Sequence, residues 1–508
     1  MNFIIFLLAL LPIIWLVIAL VVLKWPTFKA AIGSLILCAL LAITYWKMPF
    51  LDMFSAIGEG FAMALWPIIL VILAAVFTYN LTLKTGAMEI IKQMIASVSS
   101  DKRIIVLLIA WCFGGFMEGM AGFGTAIAIP ASMLAGLGFS PLFSCLVCLI
   151  ANGVPTPFGS IGIPTVTLAN LVGLENSSLA FMTSLQLAPF VIAAPFLIVM
   201  ATGKGPKALK GMIPVTLASS LGFILPQLAV SYFVGAELAV VVGSVCSLLL
   251  TILMASQKKS DPQYEMKIEK NSVITVSSAL KAWSPFILIF CFLLMTSKLV
   301  APVNEALSAF STTMTIYTGN DPGTVSFSWI NTPGVWIFLS ALIGGCIQKA
   351  KLKDFATVFA DTFVQMKETM ITMLCVLATA KIMGYAGMIS DISAFVISIT
   401  GSFYPFFAPW FGALGTFVTG SGTNSGVLFG PVQMEAAQAL QANSLWIVAL
   451  NSLGVAVGKM LSPQSLAIAL SSVDSKGQDS KLLSMVLPYG IGMILLMSIL
   501  AYIGNMIL

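Results

Sequence analysis

"WCFGGFMEGMAGFGT", residues 111–125, sets one carboxylate, Glu118, in an otherwise apolar run with five glycines. A glycine in mid-helix costs about 1 kcal/mol relative to alanine. The Gly122–x–Gly124–Thr125 end of the run therefore predicts a helix break. Such a break leaves backbone N–H and C=O groups free. At membrane depth it is tolerated only where protein buries it or a wet cavity adjoins it. A carboxylate at that depth is costly and by default marks a functional site. The fold turns on whether this stretch lies in a membrane.

Composition says that it does. The chain has 508 residues, 59% hydrophobic and 8% charged, whereas soluble domains carry about 25% charged residues. Stretches 3–23, 30–46, 61–81, 103–120, 179–200, 238–254, 285–300 and 485–508 are long enough to cross a bilayer, which takes about 20 apolar residues. In all, roughly 12 to 14 membrane segments are expected, some of them broken. Backbone groups in lipid must be satisfied internally, so the segments are helices. An outer-membrane barrel would show alternation instead. The N-terminal run has no basic flank and no A-x-A site, so it reads as the first span rather than a signal peptide.

Loop charges set the expected orientation. Lys204, Lys207 and Lys210 mark one loop, Lys258, Lys259, Lys267 and Lys270 a second, and Lys349, Lys351 and Lys353 a third. Residues 301–333 contain no Lys or Arg. The positive-inside rule makes the Lys loops cytoplasmic, 257–272 among them, and 301–333 external. It also puts the N-terminus outside and the Lys24–Lys29 turn inside. The net charge of +5 needs no nucleic-acid partner. The eight cysteines sit in apolar segments and read as small core residues, the Cys145–x–x–Cys148 pair included. With no histidine in the chain, the commonest catalytic base and metal ligand are missing, and no metal site is expected.

The opening stretch has a second version. "WFGALGTFVTGSGT" fills 410–423; at a shift of 298, Phe113, Gly114, Gly122, Gly124 and Thr125 meet Phe411, Gly412, Gly420, Gly422 and Thr423. Further on, "ANGVPTPFGSIGIPT" (151–165) and "LNSLGVAVGKMLSPQ" (450–464) align at a shift of 299 through Asn152/Asn451, Gly159/Gly458 and Pro164/Pro463. The expected organisation is N-terminal spans over 1–60, a first repeat over 61–200, a middle block over 201–360 and a second repeat over 361–508. Loop charges suggest that the repeats are inverted, an arrangement of secondary transporters with broken helices at the binding site.

Half-helix N-termini at such breaks favour an anion. Gly122, Gly124 and Thr125 in the first copy, and Gly420, Ser421, Thr423 and Asn424 in the second, are candidate substrate contacts. Prolines 155, 157 and 164 predict extended backbone in the second broken segment of the first repeat. Its partner segment has Pro463 and adds Lys459, a counter-charge for a carboxylate. Asn152, Asn451 and Gln464 complete the candidate set. Close packing of small residues and a snorkelling Lys459 are the plainer alternatives. For proton coupling the candidates are Glu118, Glu368 and Asp361, with Glu59 and Asp391 as other acids. Pairing of Glu118 with a lysine is the structural alternative.

These residues resemble the L-lactate permease family, which includes glycolate permeases. The stretches that carry the likeness are "EGMAGFGTAIAIPASMLAGLGF", "CLIANGVPTPFGSIGIPT", "GSGTNSGVLFGPVQ" and "NSLGVAVGKMLSPQSLAIA", and it extends over nearly the whole chain. The resemblance implies an all-α polytopic protein of the bacterial plasma membrane. It implies proton symport of L-lactate or another short 2-hydroxymonocarboxylate, with the proton as coupling ion and no other cofactor. Gly422 departs from the pattern, standing where the family's usual tip, GSDTSSN, has an acid. Transport of another small organic anion, sodium coupling and an anion channel stay open as alternatives. A membrane enzyme fits less well, since without histidine or a P-loop only scattered acids remain.

Overall fold

The structure is a computed structural model and describes residues 3–507 except 123, 258–260, 267–274, 321 and 476. Among these residues, twelve helices are long and apolar enough to cross a membrane. The Lys258, Lys259, Lys267 and Lys270 cluster lies outside the described residues. One element departs from the all-helical expectation: Ser311–Thr315 and Thr324–Ser328 pair as an antiparallel hairpin. Both are short runs rich in Thr and Ser on either side of a turn with Gly319, Pro322 and Gly323, a local pattern that favours strand.

Helix Lys102–Met120 is enclosed by protein throughout, whereas Thr27–Thr44 leaves most of its surface open to the apolar surroundings. The contrast follows from sequence, because the enclosed helix is the one that carries Glu118. It ends at Met120, and the chain turns through Gly122 (φ +58°) and Gly124 (φ +86°) into Thr125–Gly136. In the second half, Tyr404–Thr419 ends at Gly420 (φ +68°) and Gly422–Ala439 begins two residues later. Each Gly–x–Gly–Thr motif thus forms the tip of a helical hairpin. L-residues rarely adopt these positive φ values.

A bent helix follows each hairpin. Pro141–Gly153 and Thr156–Val172 meet at 61°. The expected extended backbone is confined to Gly159: the rest of the bend is a 3₁₀ turn over Thr156–Phe158 and three left-handed residues, Ser160, Ile161 and Gly162. Proline restricts φ without forcing an extended ψ, so a tight turn meets the same constraint. In the second half, Ser444–Leu461 is unbroken through Gly454 and Gly458, and the bend falls at Ser462 before Pro463–Ser472. Those two glycines serve close packing: a Cβ on Gly454 would strike the Pro409 carbonyl, and one on Gly458 the Ala413 carbonyl. Here the small-residue alternative describes the segment.

The 34-residue helix Leu352–Tyr385 runs antiparallel to the Phe50–Lys84 span. Near its start, Asn80 donates to Thr362 and Gln365, both at 2.9 Å. Near its end, Lys381 Nζ lies 2.7 Å from Glu59 Oε1. Loops gather at two ends. Buried Arg103 ties the 101–103 turn to the Ala208 carbonyl at 3.0 Å and to Asp261 at 3.9 Å. Gln348 joins Thr85 at 2.7 Å and the Ala282 carbonyl at 3.0 Å at that end. The 301–333 segment follows the single helix Val276–Thr296 and sits at the other. Five of the eight cysteines are buried; Cys246 is half-buried and Cys291 and Cys346 are exposed, so the core reading holds for five only.

Candidate functional site

A cavity of about 420 Å³ lies where both hairpin tips and both bent helices come together. Buried Glu118, Thr156, Ser160 and Lys459 form its inner end. Exposed Pro26, Gln365 and Glu368 form its mouth.

The two halves give the site opposite charges. Glu118, from the first half, is 3% exposed, and Lys459, from the second, 7%. They line one cavity. Their hydrogen bonds go elsewhere. Asn152 Nδ2 donates to Glu118 Oε2 at 2.7 Å, so the carboxyl's partner is an amide rather than an ammonium. Lys459 Nζ donates to the Gly420 carbonyl at 2.9 Å, one of the carbonyls that the end of a helix leaves free. An ammonium has three donors, so Lys459 keeps donors beyond that bond.

The second hairpin tip supplies an anion-favouring helix start. Ser421 caps Gly422–Ala439 by accepting from the Asn424 N–H at 3.3 Å. The N–H groups of Gly422 and Thr423 have no intrahelical acceptor by the geometry of a first turn. They carry the positive end of an 18-residue helix. Glycine allows a close approach at the neighbouring turn, since a Cβ on Gly159 would run into Glu118 Oε1.

Among the sequence candidates, Glu118, Thr125, Gly420, Ser421, Thr423, Asn424, Lys459, Gln464 and Glu368 line the cavity. Glu368 and Gln464 are exposed. Gly122 and Gly124 shape the first tip from behind, against Ser160 and Ile468. Asn152 reaches the cavity through Glu118. Asn451 is fully buried and does not line the cavity. Asp361 is exposed, and it too is absent from the cavity wall. It sits seven residues before Glu368, nearer the start of the long helix. The sequence reading missed the opposite wall: Ile72, Val76, Gln365, Met366, Thr372 and Met373. Gln365 and Thr372 were the available signal, polar residues within an apolar run.

Two hairpins, two bent helices and a charged cavity within a bundle of apolar helices define a polytopic membrane protein with a transporter fold. Two solved structures share it across nearly the whole chain. The YdaH transporter of Alcanivorax borkumensis matches with TM-score 0.53 and 15% identity, covering 94% of this chain and 98% of its own. MtrF of Neisseria gonorrhoeae, described as illuminating a class of antimetabolite efflux pumps, matches with TM-score 0.50 and 13% identity, covering 94% of each. The family profile for L-lactate permease matches residues 5–508, and the chain belongs to the L-lactate permease family. The L-lactate permease of Streptococcus iniae is 42% identical over 87% of this chain and 93% of its own length. An L-lactate permease of Escherichia coli K12 is 33% identical over 94% and 91%. That bacterium's glycolate permease GlcA is 32% identical over 99% and 97%. With bacterial permeases as relatives and twelve apolar helices, this is a multi-pass protein of the bacterial plasma membrane.

Proposed function

We propose that this chain takes up L-lactate or a related short 2-hydroxymonocarboxylate, glycolate included, together with a proton. The observation that carries the reading is the pairing in one cavity of a buried ammonium, Lys459, with a buried carboxyl, Glu118, from the other half of the chain. The substrate carboxylate docks between Lys459 and the Gly422–Ala439 N-terminus, where charge and free N–H groups both favour it. Glu118 carries the proton. Neutral, it crosses a low-dielectric region that would penalise a bare carboxylate, and anion and proton form an electroneutral load. The Asn152 amide offers a donor to the charged form and an acceptor to the protonated one. Glu368, at the mouth, is the second proton candidate. Asp361, away from the cavity wall, is the weaker one. The names of the relatives support the substrate class.

The same reading makes 61–200 and 361–508 inverted repeats, each a hairpin followed by a bent helix. The cavity mouth beside Pro26 is cytoplasmic under the positive-inside rule, because Lys24 and Lys29 flank it. A carrier is favoured over an enzyme or a channel because buried polar groups from both halves of the chain converge on one cavity.

Proteoliposomes with an alkaline interior and no sodium gradient should concentrate labelled L-lactate, and unlabelled L-lactate inside should accelerate entry. Accumulation driven by sodium at equal pH would replace the proton as coupling ion. Flux without trans-stimulation would replace the carrier with a channel.

A further inference from the structure

We infer that Asn424 is the residue that reads the hydroxyl group on C2 of the substrate. The inference rests on the carboxylate-carrier reading above and adds to it the chemical basis for choosing a 2-hydroxy acid over an unsubstituted one.

The observation is a leftover acceptor. Most hydroxyls around the cavity are already committed to backbone carbonyls: Thr125 to Gly122 at 2.7 Å, Thr156 to Asn152 at 2.7 Å, Ser160 to Ala121 at 2.9 Å, Thr372 to Glu368 at 2.8 Å and Thr419 to Gly415 at 2.7 Å. Among the described residues, eleven have a buried side-chain polar atom without a partner, and Asn424, whose Oδ1 is enclosed and unpaired, is the one of these residues that lines this cavity. The unpaired Oδ1 of Asn152 and the unpaired amide of Asn451 belong to residues behind the wall.

Asn424 is 3% exposed. Its backbone N–H is held by Ser421, which fixes its Cα at the third position of the helix whose N-terminus receives the carboxylate. A buried acceptor left unpaired is unfavourable, so the site is incomplete until a donor arrives. A carboxylate cannot donate; the C2 hydroxyl can, and it lies one carbon from the carboxylate. Rotation about χ2, a soft torsion in asparagine, turns Oδ1 toward it. A 2-hydroxymonocarboxylate therefore satisfies Lys459, the helix start and Asn424 together, whereas propionate, the same acid without the hydroxyl, leaves Asn424 unpaired. Sites built to hold a substrate hydroxyl discriminate strongly against the analogue that lacks it.

The test uses the full-length protein in proteoliposomes, with L-lactate and propionate competing against labelled L-lactate in counterflow. The wild type should prefer L-lactate by at least about tenfold. Asn424→Leu, similar in volume and unable to hydrogen-bond, should lower L-lactate affinity about tenfold or more and leave propionate affinity within about twofold, collapsing the preference. Asn424→Thr, which restores an acceptor, should recover part of it. If Asn424→Leu does not assemble, ligand-induced thermal stabilisation of wild type and Asn424→Thr gives the same comparison. A wild type indifferent to the hydroxyl, or a variant that loses both acids equally, overturns the inference. A wild type that binds neither acid overturns instead the carboxylate reading on which it rests.

Discussion

Single atoms decide the behaviour of the cavity. Glu118 holds its place because Gly159 has no side chain, and Gly159 has an ordinary backbone (φ −61°, ψ 156°). A methyl group there adds no conformational strain and moves only the carboxyl. Gly159→Ala should therefore fold, and its transport rate should fall about 100-fold, since a displacement near 1 Å can cost that much. Normal transport in proteoliposomes would mean that Glu118 is not positioned by this contact. Lys459→Ala removes the cation and the donor to the Gly420 carbonyl at once. Truncating one member of a buried charged contact costs about 2–5 kcal/mol, so L-lactate affinity should fall about 30-fold or more. Competition assays on well-expressed protein would read this; unchanged affinity would put the anion elsewhere. Glu118, Lys459 and Asn424 were all legible in the sequence. Glu118 and Lys459 are each a charged group in an apolar run beside glycine, and Asn424 follows directly on the Gly–x–Gly–Thr break. Which of their bonds would form was not legible. Glu118 was as compatible with a lysine as with Asn152, 34 residues away, because pairing depends on how the first bent helix folds back.

Two helices meet at a second buried charge that the transport reading does not use. Glu59, fully buried, takes an ammonium from Lys381 at 2.7 Å and the Tyr385 phenol at 3.0 Å to each oxygen. Tyr317, from the turn of the strand hairpin, stacks on Tyr385 with ring centroids 3.6 Å apart. The acid is neutralised and hydrogen-bonded, so its role is to fasten the Phe50–Lys84 span to the long helix. Lys381→Met strands a buried carboxylate and should cost about 3–5 kcal/mol. Glu59→Gln together with Lys381→Met should recover most of it. Thermal denaturation of purified protein checks both, and a stable single variant would deny the pair this fastening role. Spans and hairpin tips were readable because apolar length and Gly–x–Gly–Thr act locally. The bend at Ser160–Gly162 and the straight run through Gly454 and Gly458 were not. Glycine and proline permit several backbones, and neighbouring carbonyls choose among them.

At the scale of the whole molecule, the proposed sidedness and coupling both rest on the arrangement of the two halves. Lys207 and Thr313 sit at opposite ends of the bundle. Single cysteines placed there, with Cys291 and Cys346 replaced, should react from the cytoplasmic and external sides respectively, as read with a membrane-impermeant thiol reagent in cells and inverted vesicles. Reaction of both from one side would remove the inverted-repeat organisation. On the long helix the sequence reading picked out Glu368 but not Gln365, Met366, Thr372 or Met373 beside it, since only the packed bundle sets which cavity that helix faces. The coupling claim is the central one, and one carboxyl carries it. Glu118→Gln keeps the shape and hydrogen-bonding capacity of the protonated acid and cannot release a proton. In proteoliposomes with an imposed pH gradient, the variant should fail to accumulate L-lactate while still exchanging labelled for unlabelled L-lactate at equilibrium. Accumulation of L-lactate by Glu118→Gln against its gradient, driven by pH alone, would contradict proton carriage by Glu118.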